Sequence, residues 1–356
     1  MSCRILFAAL ILLFTAGCLG GGEDQTTSTT TSYEPAKTPP TLPQPTIQQT
    51  AYNSINNLSW AKNKMWDDGA TEYAVYNSSR IVDGQPVNYQ TITLTEAAYF
   101  DGIYHVKNFN NTPGSTPILA YTTIEDYNAV NYPTSIMAEF LVQRDNVFLP
   151  LKATVSAQQW PGMLYKEFQN WNQPTLLYRS PEPGQGEGKE DVILNRGDLF
   201  EDQLPIALRS LPMEKGFSQY VRILDPMAST SVRTPSAHTA RITYSGEDVV
   251  TTGIGVIPAQ IINVTYDDGQ DTYWLKKQYP NTLLKLQNRY GHKMLLEDTS
   301  RWDYRNTHKP KPPAGYYCPP FKAIDCSEPI KKEFEPYCQR PHPELLTVNC
   351  GVDVLR

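Results

Sequence analysis

Apolar and polar side chains alternate with a period of two over most of the chain between residues 71 and 304, the pattern of half-buried strands. In the first half, the alternation predicts strands over 71–76, 87–100, 118–132, 136–144, 148–158 and 163–171. Turn chemistry separates them at Asp68-Gly69, Asp83-Gly84, Asp101-Gly102 and Pro113-Gly114. The tract 180–188, SPEPGQGEG, reads as an exposed loop. Strands resume over 219–224, 240–244, 249–254, 258–266, 271–275, 283–289 and 294–304, with Asp267-Asp268-Gly269 and Tyr290-Gly291-His292 as hairpin turns.

One segment departs from this period. Leu199, Leu204, Ile206 and Leu211 form a rough helical stripe within 197–211. Asp198 with Glu201 three residues later predicts a capping box. Pro205 argues against a single unbroken helix and instead predicts the start of a second helical piece. The expected fold is therefore mainly β: antiparallel curved sheets, half-barrel-like, with one helical segment near 197–211.

Both ends of the chain lack this patterning. Residues 5–14 are apolar and follow Arg4, the one charge before them, and Thr15-Ala16-Gly17-Cys18 comes next. About ten apolar residues are too few for a spanning helix, which needs about 20. The layout predicts a signal peptide over 1–17 and lipidation of Cys18, with cleavage at another position as the alternative. Residues 18–50 are rich in Gly, Thr, Ser and Pro, which cannot build a core and predict a linker. At about 3.1 Å per extended residue, about 30 residues reach on the order of 90 Å.

The C-terminal piece, 309–356, opens with Lys309-Pro310-Lys311-Pro312-Pro313 and carries Cys318, Cys326, Cys338 and Cys350. An even number of cysteines outside the cell predicts two disulfides, with three pairings open. Zinc is disfavoured because no two of these cysteines are two to four residues apart. The body divides into 51–190, a first β-rich region, and 191–308, the helical segment with a second.

Composition agrees with an exported β protein: 40% hydrophobic, 19% charged, and 22 tyrosines. The formal net charge is −6, and losing Arg4 with the signal leaves 30 basic against 37 acidic residues. This balance excludes a nucleic-acid partner recognised through a basic face. Asn57, Asn77, Asn110 and Asn263 lie in Asn-x-Ser/Thr sequons, candidate N-glycosylation sites that nominate surface loops. With the Thr tract, they point towards an archaeal envelope.

No catalytic constellation emerges. The five histidines, His105, His238, His292, His308 and His342, belong to no HExxH motif, and no Gly-x-Ser-x-Gly elbow is present. Asp67-Asp68 and Asp267-Asp268 read as turns, and Glu125-Asp126 as the solvent face of a strand. Trp160, Trp171 and Trp274 are expected to pack. The expectation is therefore no enzyme, no cofactor and no metal.

Several short motifs carry a resemblance: Trp66-Asp67-Asp68-Gly69 with Thr71-Glu72-Tyr73, Gln159-Trp160-Pro161-Gly162, Leu199-Phe200-Glu201-Asp202-Gln203-Leu204-Pro205, Ile257-Pro258-Ala259, Asp271-Thr272-Tyr273-Trp274 and Ser300-Arg301-Trp302-Asp303-Tyr304. Residues 60–305 resemble exported, often lipobox-bearing proteins of unknown function, some labelled septum-formation inhibitors. The second half resembles the domain of unknown function 3108, related in shape to lipoprotein-carrier half-barrels. Where that group often has a cysteine, this chain has Pro161. The resemblance supplies no catalytic residues. It implies a concave sheet with 197–211 as lid or plug, which either fills the core or covers a cavity. Two functions are expected: a displayed structural or interaction module of the envelope, anchored to the membrane at its outer face, or a carrier for a lipid or other apolar ligand.

Overall fold

The computed structural model describes residues 58–128, 132–195 and 197–306. The signal segment, Cys18, the linker, Asn57, His308, His342 and the four tail cysteines lie outside the described residues.

A short helix, α1 (Leu58–Ala61), and a 3₁₀ turn (Lys64–Asp67) lead into the strands. In chain order these are β1 (Thr71–Val82), β2 (Gln85–Asp101), β3 (Val106–Asn108), β4 (Thr116–Asn128), β5 (Pro133–Gln143), β6 (Asn146–Gln159), β7 (Gly162–Gln169), β8 (Thr175–Arg179), β9 (Glu187–Asp191), β10 (Leu199–Phe200), β11 (Ser218–Leu224), β12 (Ala237–Thr252), β13 (Gly255–Tyr266), β14 (Gly269–Lys276), β15 (Leu283–Gln287) and β16 (Lys293–Trp302). The protein is mostly β, as the alternation predicts.

All of these strands join one 16-stranded sheet rather than separate sheets, in the order β10 to β16, then β1, β2 and β4 to β9, with β3 beside β2. From β4 to β9 and from β11 to β16 consecutive strands are antiparallel neighbours, as are β1 and β2, so each hairpin turn sets the next register. Asp83 and Gly84 show why: both have positive φ, the requirement of the two-residue turn that matches strand twist. The two halves meet where β1 pairs antiparallel with β16, Thr71 opposite Trp302. The order of the sheet is thus the circular order of the chain, broken only between β9 and β10. The result is barrel-like but unclosed.

The interior is filled by the chain's own residues. β10 adds to β11 in parallel and continues into a 3₁₀ turn (Glu201–Gln203), a helical turn α2 (Leu204–Ala207) and a second 3₁₀ turn (Leu208–Ser210). Leu199, Phe200, Leu204, Ile206, Ala207 and Leu208 are fully buried. The Phe200 ring meets Phe168 of β7 at 4.9 Å and Phe140 of β5 at 6.0 Å, while its backbone pairs with β11. This plug therefore touches both halves of the sheet. Each large side chain buried in this way contributes roughly 1.5–3 kcal/mol.

A second, smaller cluster lies on the outer face of β2, β4, β5 and β6: Phe100, Ile118, Leu141 and Leu151 with Trp171. His105, from the β2–β4 connection, stacks on Trp171 at 4.2 Å and covers it.

Several expectations are corrected. The helical segment starts at Glu201, not after Asp198. Pairing of Leu199 and Phe200 with β11 occupies the predicted first turn. Asp198 accepts a hydrogen bond from the Asn195 amide instead, and Gln203 Oε1 caps the Phe200 amide. Pro205 does sit in the first turn of α2. The exposed loop after β8 stops at Gly186, because Glu187 and Gly188 pair with Arg179 and Tyr178. The predicted strands 240–244 and 249–254 fall in one strand, β12, which continues through a bulge at Tyr244–Gly246.

Candidate functional site

The plug does not fill the barrel at one mouth. A cavity of about 240 Å³ remains there, between the plug's Glu201 and Asp202 and residues of β1, β2, β4, β14, β15 and β16. Its rim carries Ile81 and Tyr290, which are 52% and 57% exposed and open it to solvent.

Strand alternation places the lining. Tyr121, Thr123 and Glu125 are every second residue of β4 and share its inner face. Glu125 is therefore buried, not on the solvent face as the sequence suggested; only Asp126 is exposed. Arg80 of β1 pairs with the Glu125 carboxylate and makes that burial tolerable. Burial pushes the Glu125 carboxyl up, and Arg80 opposes the shift.

The same guanidinium orders a short chain of contacts. Arg80 Nε donates to Tyr89 Oη at 2.7 Å, and Tyr89 Oη lies 3.0 Å from His292 Nε2. Burial, reinforced by Arg80, holds His292 down to about 3, so its ring is neutral at neutral pH. Burial also keeps the Tyr89 phenol protonated. With Arg80 donating to its oxygen, Tyr89 has its own proton available for Nε2 of the neutral ring.

On the other side of the cavity, Arg289 is shared among several acids. Nη1 meets Asp271 Oδ2 at 2.8 Å, Nη2 meets Glu201 Oε2 at 2.9 Å, and Nε lies 3.1 Å from Asp268 Oδ1. Its guanidinium is stacked between Tyr266, at 3.7 Å, and Tyr290, at 4.2 Å. Burial raises the Glu201 carboxyl to about 7, because one arginine divided among three carboxylates offsets only part of the desolvation.

Among the described residues no cation lies within ion-pair distance of Asp202. Its carboxylate accepts from the Met227 amide at 2.6 Å and the Ala228 amide at 3.3 Å, and burial raises it. Lys166 of β7 is buried, and burial lowers its ammonium to about 8. Its Nζ donates to Ser229 Oγ and Ser231 O, both at 2.9 Å. Carboxylates thus outnumber the cations facing this mouth.

Other sequence-selected residues lie apart. Asn110 is in an exposed loop, whereas Asn77 and Asn263 sit within β1 and β13, not in loops. Asn77 Nδ2 donates to Glu297 Oε2 at 2.8 Å. Asp68 caps its own turn by accepting from the Ala70 amide at 2.8 Å. His238 lies 2.8 Å from exposed Asp225, away from the cavity. Trp171 packs as expected, but Trp160, at the β6–β7 turn, is 76% exposed and borders a hollow with Tyr127 and Pro133. Among the described residues no group of three His, Cys, Asp or Glu side chains is arranged to hold a metal.

No protein-family model matches the chain, and no curated protein matches it. Among solved structures, the chain is similar to the crystal structure of a beta-barrel-like protein of the domain of unknown function DUF1849 from Brucella abortus. That likeness covers 66% of this chain and 98% of the other, at 8% identity and a TM-score of 0.41. The fold and the site rest on this chain's own geometry.

Sequence reasoning named Glu125, Glu201 and His292 only as strand surface, cap and turn. It named Asp202 and Tyr273 only within motifs of resemblance and missed Arg80, Tyr89, Tyr121 and Arg289. The available signal was polarity out of phase: two acids opening an apolar segment that the sheet would have to enclose.

Proposed function

We propose that this chain is a lipid-anchored protein held at the outer face of a cell membrane, where its barrel-like body acts as a structural or interaction module of the envelope. In this reading Cys18 is the anchor, residues 18–50 are the spacer, and the four tail cysteines form a cross-linked terminus.

The plug carries the choice between this reading and a carrier of apolar ligands. A carrier needs an apolar hollow. Here the space between the two halves of the sheet is occupied by Phe200, Leu204, Ile206 and Leu208, none of them exposed. The cavity left at this mouth, about 240 Å³, is smaller than the roughly 300–1,000 Å³ of ordinary ligand pockets, and the larger hollow beside Trp160, about 510 Å³, is lined by Asp126, Asn128, Gln158 and other polar residues. It is also ringed by charges that an acyl chain would strip of solvation. A binding rather than enzymatic role fits the acids, since Glu125 and Glu201 are each held by an arginine.

Fractionation of cells expressing the full chain and its Cys18→Ala variant tests the anchor. The parent chain is expected in the membrane pellet and the variant in the medium. A variant that stays with the membrane overturns the anchor.

A further inference from the structure

Two side chains of the mouth cavity are left without partners by the fold. Tyr121 of β4 and Tyr273 of β14 are 1% and 2% exposed, and both line the cavity. Neither hydroxyl has a hydrogen-bond partner among the described residues. Both residues line the hollow, so their hydroxyls are available to whatever occupies it.

Charge selects the occupant. Arg80 neutralises Glu125. Arg289 is divided among Glu201, Asp271 and Asp268. Asp202 accepts from backbone amides, Met227 and Ala228 among them, and no cation lies within ion-pair distance of it among the described residues. Lys166 donates to Ser229 and Ser231 and offsets Asp202 only from beyond ion-pair distance. Five acids, Glu125, Glu201, Asp202, Asp268 and Asp271, thus stand against three cations, Arg80, Arg289 and Lys166, beside two hydroxyls able to accept.

We infer that this cavity binds a small organic cation, one bearing a primary ammonium or guanidinium group, with Asp202, Tyr121 and Tyr273 as its contacts. An anion would meet three carboxylates. An apolar molecule would desolvate them without return. The two tyrosine rings add faces that attract a cation, as Tyr290 already does for Arg289 at the rim. The small volume limits the ligand to a few heavy atoms, and the opening between Ile81 and Tyr290 admits it. This inference does not rest on the anchor or on the envelope role.

Isothermal titration of the full chain with agmatine and with putrescine tests it, with 1,4-butanediol and succinate as neutral and anionic counterparts. Saturable one-to-one binding of at least one amine is expected, with none for the counterparts. Tyr121→Phe and Tyr273→Phe should each weaken it about tenfold, the loss of one hydrogen bond to a charged group. Asp202→Asn should abolish it. Asp202 also ties the 227–228 backbone, so the tyrosine variants decide the matter if that variant fails to fold. Absence of saturable binding for both amines up to millimolar concentration, equal binding of butanediol, or unchanged affinity in the double tyrosine variant overturns the inference.

Discussion

Arg209 Nη1 lies 2.6 Å from Glu72 Oε1, and both side chains are buried. This contact ties the C-terminal end of the plug to β1, one of the two strands through which the halves of the sheet join. Glu72 also accepts from Thr282 Oγ1 at 3.2 Å, and Arg209 Nε donates to Pro205 O at 3.1 Å, so both charges are further satisfied. Removing one partner strands the other in a low dielectric. Glu72→Ala is expected to cost about 3–5 kcal/mol, measured by urea unfolding. Replacing both with apolar residues of similar volume, as in Glu72→Leu with Arg209→Met, should cost much less than the single change.

The plug should be integral to folding rather than a removable lid. Leu204→Ala is expected to lose about 2–5 kcal/mol and Phe200→Ala about 3–5 kcal/mol, because neither site can collapse onto solvent. Both should unfold in one transition with the rest of the body. A native-like stability for either variant would show a plug that leaves the barrel freely.

Much of this was legible in the chain. Period-two alternation and Asp-Gly turns locate most hairpins, because each depends on residues close in sequence. The β1–β16 pairing was not, since nothing local links Thr71 to Trp302. Glu125 was misread because Ile118, Leu119, Ala120 and Tyr121 are all buried. With the outer face of β4 also covered, through Ile118 and Ala120, alternation lost its phase. Asp198 looked like a cap because propensity sees a helix start, whereas parallel pairing of β10 with β11 delays it.

Glu201 gives the mouth a pH signature. Its carboxyl, faced by Arg289, Asp271, Asp202 and Tyr266, is raised from 4.5 to about 7 in the folded state. The folded form then binds more protons than the unfolded chain, so this group's contribution is present at low pH and lost as pH rises from about 4.5 to 7. His292, held down to about 3, acts oppositely, adding stability as pH rises from about 3 to 6.5. Removing the first effect exposes the second. Unfolding free energies of Glu201→Gln should climb relative to the parent between pH 4.5 and 7, by on the order of 3 kcal/mol. Parallel curves would contradict the assigned proton.

Gly253 marks where the β12–β13 turn leans on β16. Its amide donates to Leu296 O at 2.9 Å, and a Cβ there would stand 2.3 Å from Glu297 O. That neighbour is backbone in a paired strand and cannot step aside. Gly253→Ala is therefore expected to cost about 2–4 kcal/mol through displacement of the turn, whereas Gly102→Ala should cost less, since its φ is not left-handed and its Cβ would stand no nearer than 3.4 Å to a neighbour. Thermal unfolding of the two variants makes the comparison.

The account turns on a barrel-like body whose interior is occupied by its own chain. Native mass spectrometry of the full chain, followed by solvent extraction and identification of what is released, tests this most directly. The expected mass carries the Cys18-linked lipid and no further fatty acyl or isoprenoid molecule. An apolar ligand bound non-covalently at one per chain, retained in Cys18→Ala and lost on unfolding, would contradict the plugged interior and restore the carrier reading.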